Sequence, residues 1–111
     1  MLAVRSSLRY DPEMQKHELI ERLRQLRPDL SAEGVEHLAV FGSRARGDNQ
    51  PASDIDILID VDPHRMFSLI DLIGVQHIIE DTTGIPANAL MRRSLDDRFR
   101  GRIEGDLIEV F

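Results

Sequence analysis

The sequence predicts a small α/β (α+β) domain, in which a mixed sheet of three or more strands is flanked by helices. Apolar residues recur at helical spacing in some segments, and short apolar runs bounded by Gly, Pro or Asp lie between them. The length of 111 residues suits one domain with one modest core. The predicted order is helix, strand, strand, helix, strand, helix. Because a long polar loop joins the first two strands, a mixed or antiparallel sheet is expected.

Three helices are predicted from apolar residues spaced three and four apart, and they cover Glu13 to Leu26, Met66 to Thr82, and the segment from Ser94 to Ile103. Pro28 is expected to end the first helix, and residues 29–34 to form a turn or a short extra helical turn. Gly84 suits a C-cap for the second helix, and Ser94 an N-cap for the third.

The second predicted helix is apolar over more than one stripe. The residues expected on one side are Met66, Leu69, Ile70, Ile73 and the pair 78–79, while Leu72 and Val75 extend the apolar surface further. Such breadth indicates either burial on two sides or an exposed contact surface.

The strands are predicted from apolar runs, and they cover Glu36 to Phe41, Ser53 to Val61 and Ile85 to Leu90. Pro86 indicates that the third strand has an irregular start or lies at an edge. The last segment, Leu107 to Phe111, is compatible with a helix end or with a strand. Residues 1–15 are expected to be a lead-in, and residues 16–111 a single domain.

Composition limits the partners of this chain. Its net charge is −6, from 20 acidic and 14 basic side chains, so long DNA or RNA is an unexpected partner, while a single nucleotide with its metal ion is compatible. The absence of cysteine excludes disulfides and thiolate metal sites and fits a cytoplasmic location. No apolar run is long enough for a membrane span or a secretory signal, so no membrane partner is expected.

Two carboxylates interrupt the second predicted strand. Side chains alternate along a strand, so Asp54 and Asp56 are expected on one face, where their charges repel each other. A divalent cation would remove that repulsion, and oxygen ligands favour Mg²⁺ or Mn²⁺ over zinc. The alternative for an isolated Asp-x-Asp is a solvated turn or a capping pair.

Gly42 and Ser43 directly follow the first predicted strand. Glycine lets the backbone turn sharply and approach a ligand closely. If residues 43–46 begin a short helix, its free N–H groups and the Ser43 hydroxyl form an anion site, with Arg44 and Arg46 as the nearest positive charges. The alternatives are a plain turn for Gly42-Ser43 and a solvated loop for the two arginines.

Together, "GSRARGDNQPASDID" resembles the G-S-x10-D-x-D signature of the polymerase-β-like nucleotidyltransferase superfamily, and most of all its minimal nucleotidyltransferase (MNT) group. The resemblance covers about residues 19–108. It implies the nucleotidyltransferase fold, with binding of ATP and Mg²⁺ and transfer of AMP to a hydroxyl. It assigns Asp54 and Asp56 to metal, and Gly42 and Ser43 to the triphosphate.

The chain departs from the superfamily pattern at one position. A later strand normally supplies a third carboxylate, but the matching segment "IPANAL" carries Asn88, whose amide is uncharged and is not a base. Asn88 is therefore a weaker third ligand, and reduced activity is expected. Asp60 and Glu109 are the candidate replacements among the other acids, although solvated carboxylates are the more ordinary expectation for both.

Two functions remain open at this point. The first is an Mg²⁺-dependent transferase that adds AMP from ATP to a protein hydroxyl. For the MNT group, the resemblance implies an antitoxin that forms a hetero-oligomer with a HEPN-type ribonuclease toxin. The second is an interaction module that binds nucleotide and partner with little or no turnover. Asn88 favours the second, and the intact Gly-Ser and Asp-x-Asp elements favour the first.

Overall fold

The computed structural model of the protein describes residues 13–111, which form a four-stranded sheet covered by helices. The helices are α1 (Lys16–Gln25), α2 (Arg27–Ala32), α3 (Ser43–Arg46), α4 (Leu69–Thr83) and α5 (Asp97–Ile103). The strands are β1 (Val35–Phe41), β2 (Ile55–Val61), β3 (Ala87–Met91) and β4 (Ile108–Glu109). Short 3₁₀ turns cover Arg92–Ser94 and Glu104–Asp106. Residues 1–12 of the predicted lead-in lie outside this description.

The sheet is mixed, as predicted, with the strand order β3-β2-β1-β4. β1 runs antiparallel to β2 and to β4, whereas β2 and β3 are parallel. Parallel neighbours need a crossover connection, and α4 provides it. The C-terminal segment, for which helix and strand were both open, forms β4 through the pairs Ala39–Glu109 and Val40–Ile108.

Apolar residues are buried on both faces of the sheet. On the first face, Leu38, Val40, Ile57 and Ile59 join the larger core with α1, α2 and α4. On the second face a smaller core contains Ala39, Phe41, Leu58 and Ile103, packed against Leu90, Leu95, Phe99 and Leu107. Because β2 side chains alternate, Asp56 and Asp60 share the second face with Leu58. The candidate acids therefore lie on the side covered by α5.

The helix termini correct three predictions. The first helix ends at Gln25, and Pro28 lies in the first turn of α2, where its missing N–H costs no hydrogen bond. The second helix starts at Leu69 because Ser68 and Asp71 form a reciprocal capping box. The predicted N-cap at Ser94 was wrong, since Asp96 accepts from the Phe99 amide at 2.8 Å. The C-cap at Gly84, with φ of +75°, is confirmed.

The face of α4 that is buried differs from the predicted one. Val75 and Ile79 are buried in the larger core, whereas Met66, Leu69, Ile70 and Ile73 are 97, 71, 79 and 41% exposed. The prediction that 66–73 and 78–79 share one side was therefore wrong. The four exposed residues form what is called here the apolar patch. Within residues 13–111, no helix has the length and apolar character required to cross a membrane.

Candidate active site

The end of β1 forms the first wall of the site. Phe41 pairs with Asp56 across the sheet, and the chain turns at Gly42, where φ is +78°. The amides of Ala45 and Arg46 both donate to the Gly42 carbonyl, at 3.1 and 3.0 Å, which starts α3 as predicted. Among residues 13–111 the bonds found at Ser43 involve its backbone carbonyl, and its hydroxyl has no hydrogen-bond partner. The bend therefore leaves a hydroxyl and the start of a helix beside Asp56.

Gly42 lies against the Asp56 carboxylate. A Cβ added to Gly42 would overlap Asp56 Oδ2 and lie 3.2 Å from Asp56 Cγ. The same residue has a left-handed backbone, which L side chains rarely adopt. Two independent requirements thus select glycine at this position, and one of them is the room needed by the carboxylate.

The three candidate metal ligands converge at one edge of the second face. In the parallel pair β2–β3, Asp56 is the direct neighbour of Asn88. Asn88 Nδ2 donates to Asp54 Oδ2 at 3.0 Å, although Asp54 precedes the first residue of β2 instead of lying within the strand as predicted. The Asn88 amide therefore lies beside both carboxylates, at the position where the resemblance implies a third acid.

The electrostatic environment of Asp56 opposes its negative charge. Burial is the largest cause that raises the pKa of Asp56, and the negative charge of Asp54 raises this pKa further. A hydrogen bond from Asn88 and the positive charge of Arg46 act in the opposite direction on the same pKa, and the net direction is upward. A cation between the two carboxylates would offset the free-energy cost of keeping Asp56 ionised.

The two predicted arginines are placed differently. Arg46 is exposed, and its guanidinium donates to Asp48 at 3.1 Å and to Asp106 at 2.9 Å while its charge reaches Asp56. Arg44 is only 2% exposed and points into the protein, where Nε donates to the Ser53 carbonyl at 3.0 Å. The structure therefore brings Arg46 to the site and places Arg44 behind it.

Asp60 and Glu109 do not join the site. Arg92 Nε lies 3.1 Å from Asp60, and its Nη2 lies 3.3 Å from Glu109, so one guanidinium holds both acids. Asp60 lies four positions after Asp56 on β2, which corresponds to about 13 Å of extended chain. Neither acid replaces the missing third carboxylate.

The donor atoms of the site fit a hard divalent cation. Asp54 and Asp56 offer carboxylate oxygens, and rotation of the Asn88 amide would present its carbonyl oxygen; oxygen ligands of this kind suit Mg²⁺ and Mn²⁺. Within the described part of the chain, no cluster of three or more His, Cys, Asp or Glu is arranged to hold a metal. The convergent side chains thus offer two charged oxygen donors and one neutral donor.

The C-terminal elements form a wall that the sequence did not predict. Phe99 of α5 meets Phe41 edge to face, with ring centroids 6.2 Å apart, and Arg102 lies 5.3 Å from the centroid of the Phe99 ring. Asp106 reaches Arg46 across 60 residues of sequence. The spacing of apolar residues predicted a helix here, but no sequence pattern indicated that Phe99 meets Phe41 or that Asp106 meets Arg46.

Comparison with known proteins gives three related findings. A family model described as "Nucleotidyltransferase domain" matches residues 16–110. A protein of Methanocaldococcus jannaschii named "Putative protein adenylyltransferase MJ0435" is 31% identical over 87 residues, which cover 78% of this chain and 91% of that protein. A solved structure of a "putative minimal nucleotidyltransferase" superimposes with a TM-score of 0.70 at 28% identity, over 86% of this chain and 96% of that one.

A more distant structure has the same fold. It is that of a tri-AMPylated Shewanella oneidensis HEPN toxin in complex with an MNT antitoxin. The superposition has a TM-score of 0.64 at 12% identity, and it covers 87% of this chain and 72% of the other. At that identity the match shows the fold alone.

Proposed function

This chain belongs to the nucleotidyltransferase domain family, and from that premise we propose that it transfers AMP from ATP to a hydroxyl group of another protein, with Mg²⁺ or Mn²⁺ as cofactor. One observation carries the proposal. Asp54, Asp56 and Asn88 converge at a sheet edge that directly adjoins the Gly42–Ser43 bend. A cation site and an anion site therefore lie side by side, as a metal–triphosphate complex requires.

Each residue has a defined part in this proposal. Asp54 and Asp56 would hold the cation, which neutralises the charge that develops on the phosphates. Gly42 and Ser43 would receive the triphosphate, since the bend offers a hydroxyl and the start of α3. Arg46 would supply positive charge to the triphosphate, once phosphate oxygens compete with Asp48 and Asp106 for its guanidinium.

The transfer itself is a displacement at the α-phosphorus of ATP. A bond forms between the acceptor oxygen and this phosphorus, while the bond to the bridging α–β oxygen breaks and pyrophosphate leaves with the electron pair. The acceptor hydroxyl loses its proton. Of the three convergent side chains, Asp54 and Asp56 are the bases that can take it, because the Asn88 amide is not one. Because no third carboxylate shares these tasks, we expect AMP transfer to be slow but measurable.

The acceptor protein we propose is a HEPN-type toxin, bound in a hetero-oligomer in which this chain acts as the antitoxin. Support comes from the shared fold of the MNT antitoxin that accompanies a tri-AMPylated HEPN toxin in Shewanella oneidensis. The apolar patch also supports a protein partner, since Met66, Leu69 and Ile70 expose most of their surface to solvent. Residues 66–91 carry three acidic side chains and no Lys or Arg, so a partner surface with basic residues would suit this face better than a second copy of the chain.

A second candidate function is a binding module with little or no catalysis. Asn88 favours it, because the third ligand position carries no charge and no base. Under this alternative the nucleotide pocket would regulate or stabilise the complex with the toxin, and neutralisation would depend on binding alone.

One experiment separates the two functions. The purified chain is incubated with α-labelled ATP, Mg²⁺ and a purified HEPN-type protein. We expect label on the toxin, and no label with the Asp54→Asn, Asp56→Asn double variant. A stable complex without label, equally tight for the double variant, would support the binding module and overturn the transferase.

A further inference from the structure

We propose that Arg44 is a positioning residue, which fixes the loop of residues 47–53 so that Asp54 stands beside Asp56 and Asn88. This inference rests on the proposed function, because it concerns the candidate ligand Asp54. Arg44 is the only ionisable residue among 13–111 that is buried, with 2% of its surface exposed. A buried guanidinium is costly unless its donors are satisfied, so its partners indicate what it does.

The partners of Arg44 are backbone carbonyls of the loop that precedes Asp54. Nε donates to the Ser53 carbonyl at 3.0 Å, and Nη2 lies 3.5 Å from the Pro51 carbonyl. No carboxylate in the described part of the chain pairs with Arg44. The Ser53 carbonyl belongs to the peptide group that links Ser53 to Asp54. The strongest contact of Arg44 therefore fixes the orientation of the peptide that leads into the candidate ligand.

Asp54 needs such a contact more than the other two convergent residues do. Asp56 lies inside β2 and is held by β1 on one side and β3 on the other. Asn88 lies inside β3 and is paired with β2. Asp54 precedes β2, and the ladder begins only at Ile55, whose amide donates to the Pro86 carbonyl. Its backbone position depends on the loop, which contains no helix or strand from Gly47 to Asp54.

Arg44 also links the two halves of the site. It belongs to α3, the helix that starts at the Gly42–Ser43 bend, and its side chain reaches the carboxylate side. One residue thus sets the spacing between the proposed triphosphate contact and Asp54. Its charge is placed on the interior side, away from the solvent-exposed surface where Arg46 lies. The geometry accordingly favours fixation of the loop over direct contact with the nucleotide.

The test uses the full chain with Arg44→Met and Arg44→Lys, at a temperature where circular dichroism shows every variant to be folded. Arg44→Lys keeps the charge and one donor nitrogen, so it should restore part of what Arg44→Met loses. Arg24→Met is the matched control, since Arg24 is exposed on α1 and, among residues 13–111, pairs only with the exposed Glu21. The readouts are hydrogen exchange of the amides of residues 48–54 without ligand, and ATP binding with and without Mg²⁺.

For Arg44→Met we expect faster exchange in residues 48–54 and a loss of Mg²⁺-dependent ATP affinity of about tenfold or more, the scale seen when a residue that orients a metal ligand is removed. ATP affinity without Mg²⁺ should change by less than about twofold, because the Gly42–Ser43 bend is intact. Arg24→Met should match the wild type in all three measurements.

Three results would overturn the proposal. They are unchanged exchange in folded Arg44→Met, unchanged Mg²⁺-dependent affinity, or an equal loss of affinity with and without Mg²⁺, which would make Arg44 a direct nucleotide contact. If the wild type itself shows no Mg²⁺-dependent ATP binding, the proposed function fails. The exchange measurement then decides alone: lost protection in Arg44→Met supports fixation of the loop, and retained protection overturns it.

Discussion

The Asp56 carboxylate occupies the space that a side chain at Gly42 would need. An added Cβ would overlap Asp56 Oδ2, and the backbone of Gly42 is left-handed as well. The first and last elements of the sequence motif are therefore in direct contact, although fourteen positions of chain separate them. The spacing of the motif reflects one physical site in which the turn at the end of β1 and the acid on β2 fit each other.

Gly42→Ala should displace Asp56 and thereby reduce Mg²⁺-dependent ATP affinity by more than about tenfold. The variant should also lose about 1–3 kcal/mol of stability through backbone strain and the clash. Gly47→Ala is the control, because Gly47 has φ of +87° but an added Cβ meets nothing within 4 Å. It should lose about 1–2 kcal/mol from strain alone and retain ATP binding. Titration calorimetry gives the ATP affinity, and thermal unfolding gives the stability. Equal ATP affinity in Gly42→Ala and in the wild type would contradict the proposed dependence of the site on the Gly42–Asp56 contact.

Asp56→Asn should stabilise the metal-free protein while it removes metal-dependent ATP binding. Burial and the Asp54 charge raise the pKa of Asp56, so at pH 7 its ionised form costs folding free energy that a neutral isostere does not. We expect a gain of about 1 kcal/mol in urea unfolding with a chelator present. Asp97→Asn, at a fully exposed side chain 4.0 Å from Arg100, should change stability by less than about 0.5 kcal/mol. A destabilised Asp56→Asn would show that the carboxylate is well accommodated without a cation.

Asn88→Asp should raise the rate of AMP transfer by about tenfold or more, because it supplies a third charged ligand and a base beside Asp56. The same change should lower metal-free stability, since Asp54 loses an amide donor and gains a negative neighbour. Asn88→Ala removes the donor without adding charge and should bring no increase in rate. The rate of label transfer in a single turnover is compared for the wild type, Asn88→Asp and Asn88→Ala. An unchanged or lower rate in Asn88→Asp would count against Asn88 as the third ligand position.

The Leu69→Ser, Ile70→Ser double variant should weaken binding of the HEPN-type protein by about tenfold or more, since a few residues carry most of the binding energy of a protein interface and these two expose large apolar side chains. ATP binding should not change, because α4 packs on the sheet face opposite to the candidate site. His77→Ser is the control, at an exposed position of the same helix beyond the apolar patch. The affinities are measured from the binding of the wild type and both variants to the HEPN-type protein immobilised on a surface. Wild-type affinity in the double variant would mean that the partner binds elsewhere.

The parts of the fold that follow from local patterns were predictable. The apolar runs in residues 36–41 and 53–61 indicate two strands, and Gly84 indicates where α4 ends, because each depends on residues close in sequence. The apolar residues of α4 surround the helix, so periodicity could not show that Val75 and Ile79 face the core while Ile70 faces solvent. Packing against the sheet determines which side of α4 is buried.

In the candidate site, too, features set by the local sequence were predictable and features set by packing were not. The motif predicts that Gly42, Ser43, Asp54 and Asp56 lie together. The structure places Gly42 against Asp56, and Asn88 of the neighbouring strand within hydrogen-bond distance of Asp54. The burial of Arg44 was not predictable, because it requires the loop of residues 47–53 to fold back over α3. The pairing of Arg46 with Asp106 likewise depends on the position of the C-terminal elements, which no local pattern indicates.

Isothermal titration of the full chain with ATP, in the presence and absence of Mg²⁺, tests the central claim most directly. The wild type should take up about one ATP with Mg²⁺ and bind at least about tenfold more weakly without it, because Asp54 and Asp56 need the cation to approach a triphosphate. The Asp54→Asn, Asp56→Asn double variant should bind with the same affinity in both conditions. Heat of ATP binding that does not depend on Mg²⁺ in the wild type, or no binding at all, would contradict the proposal.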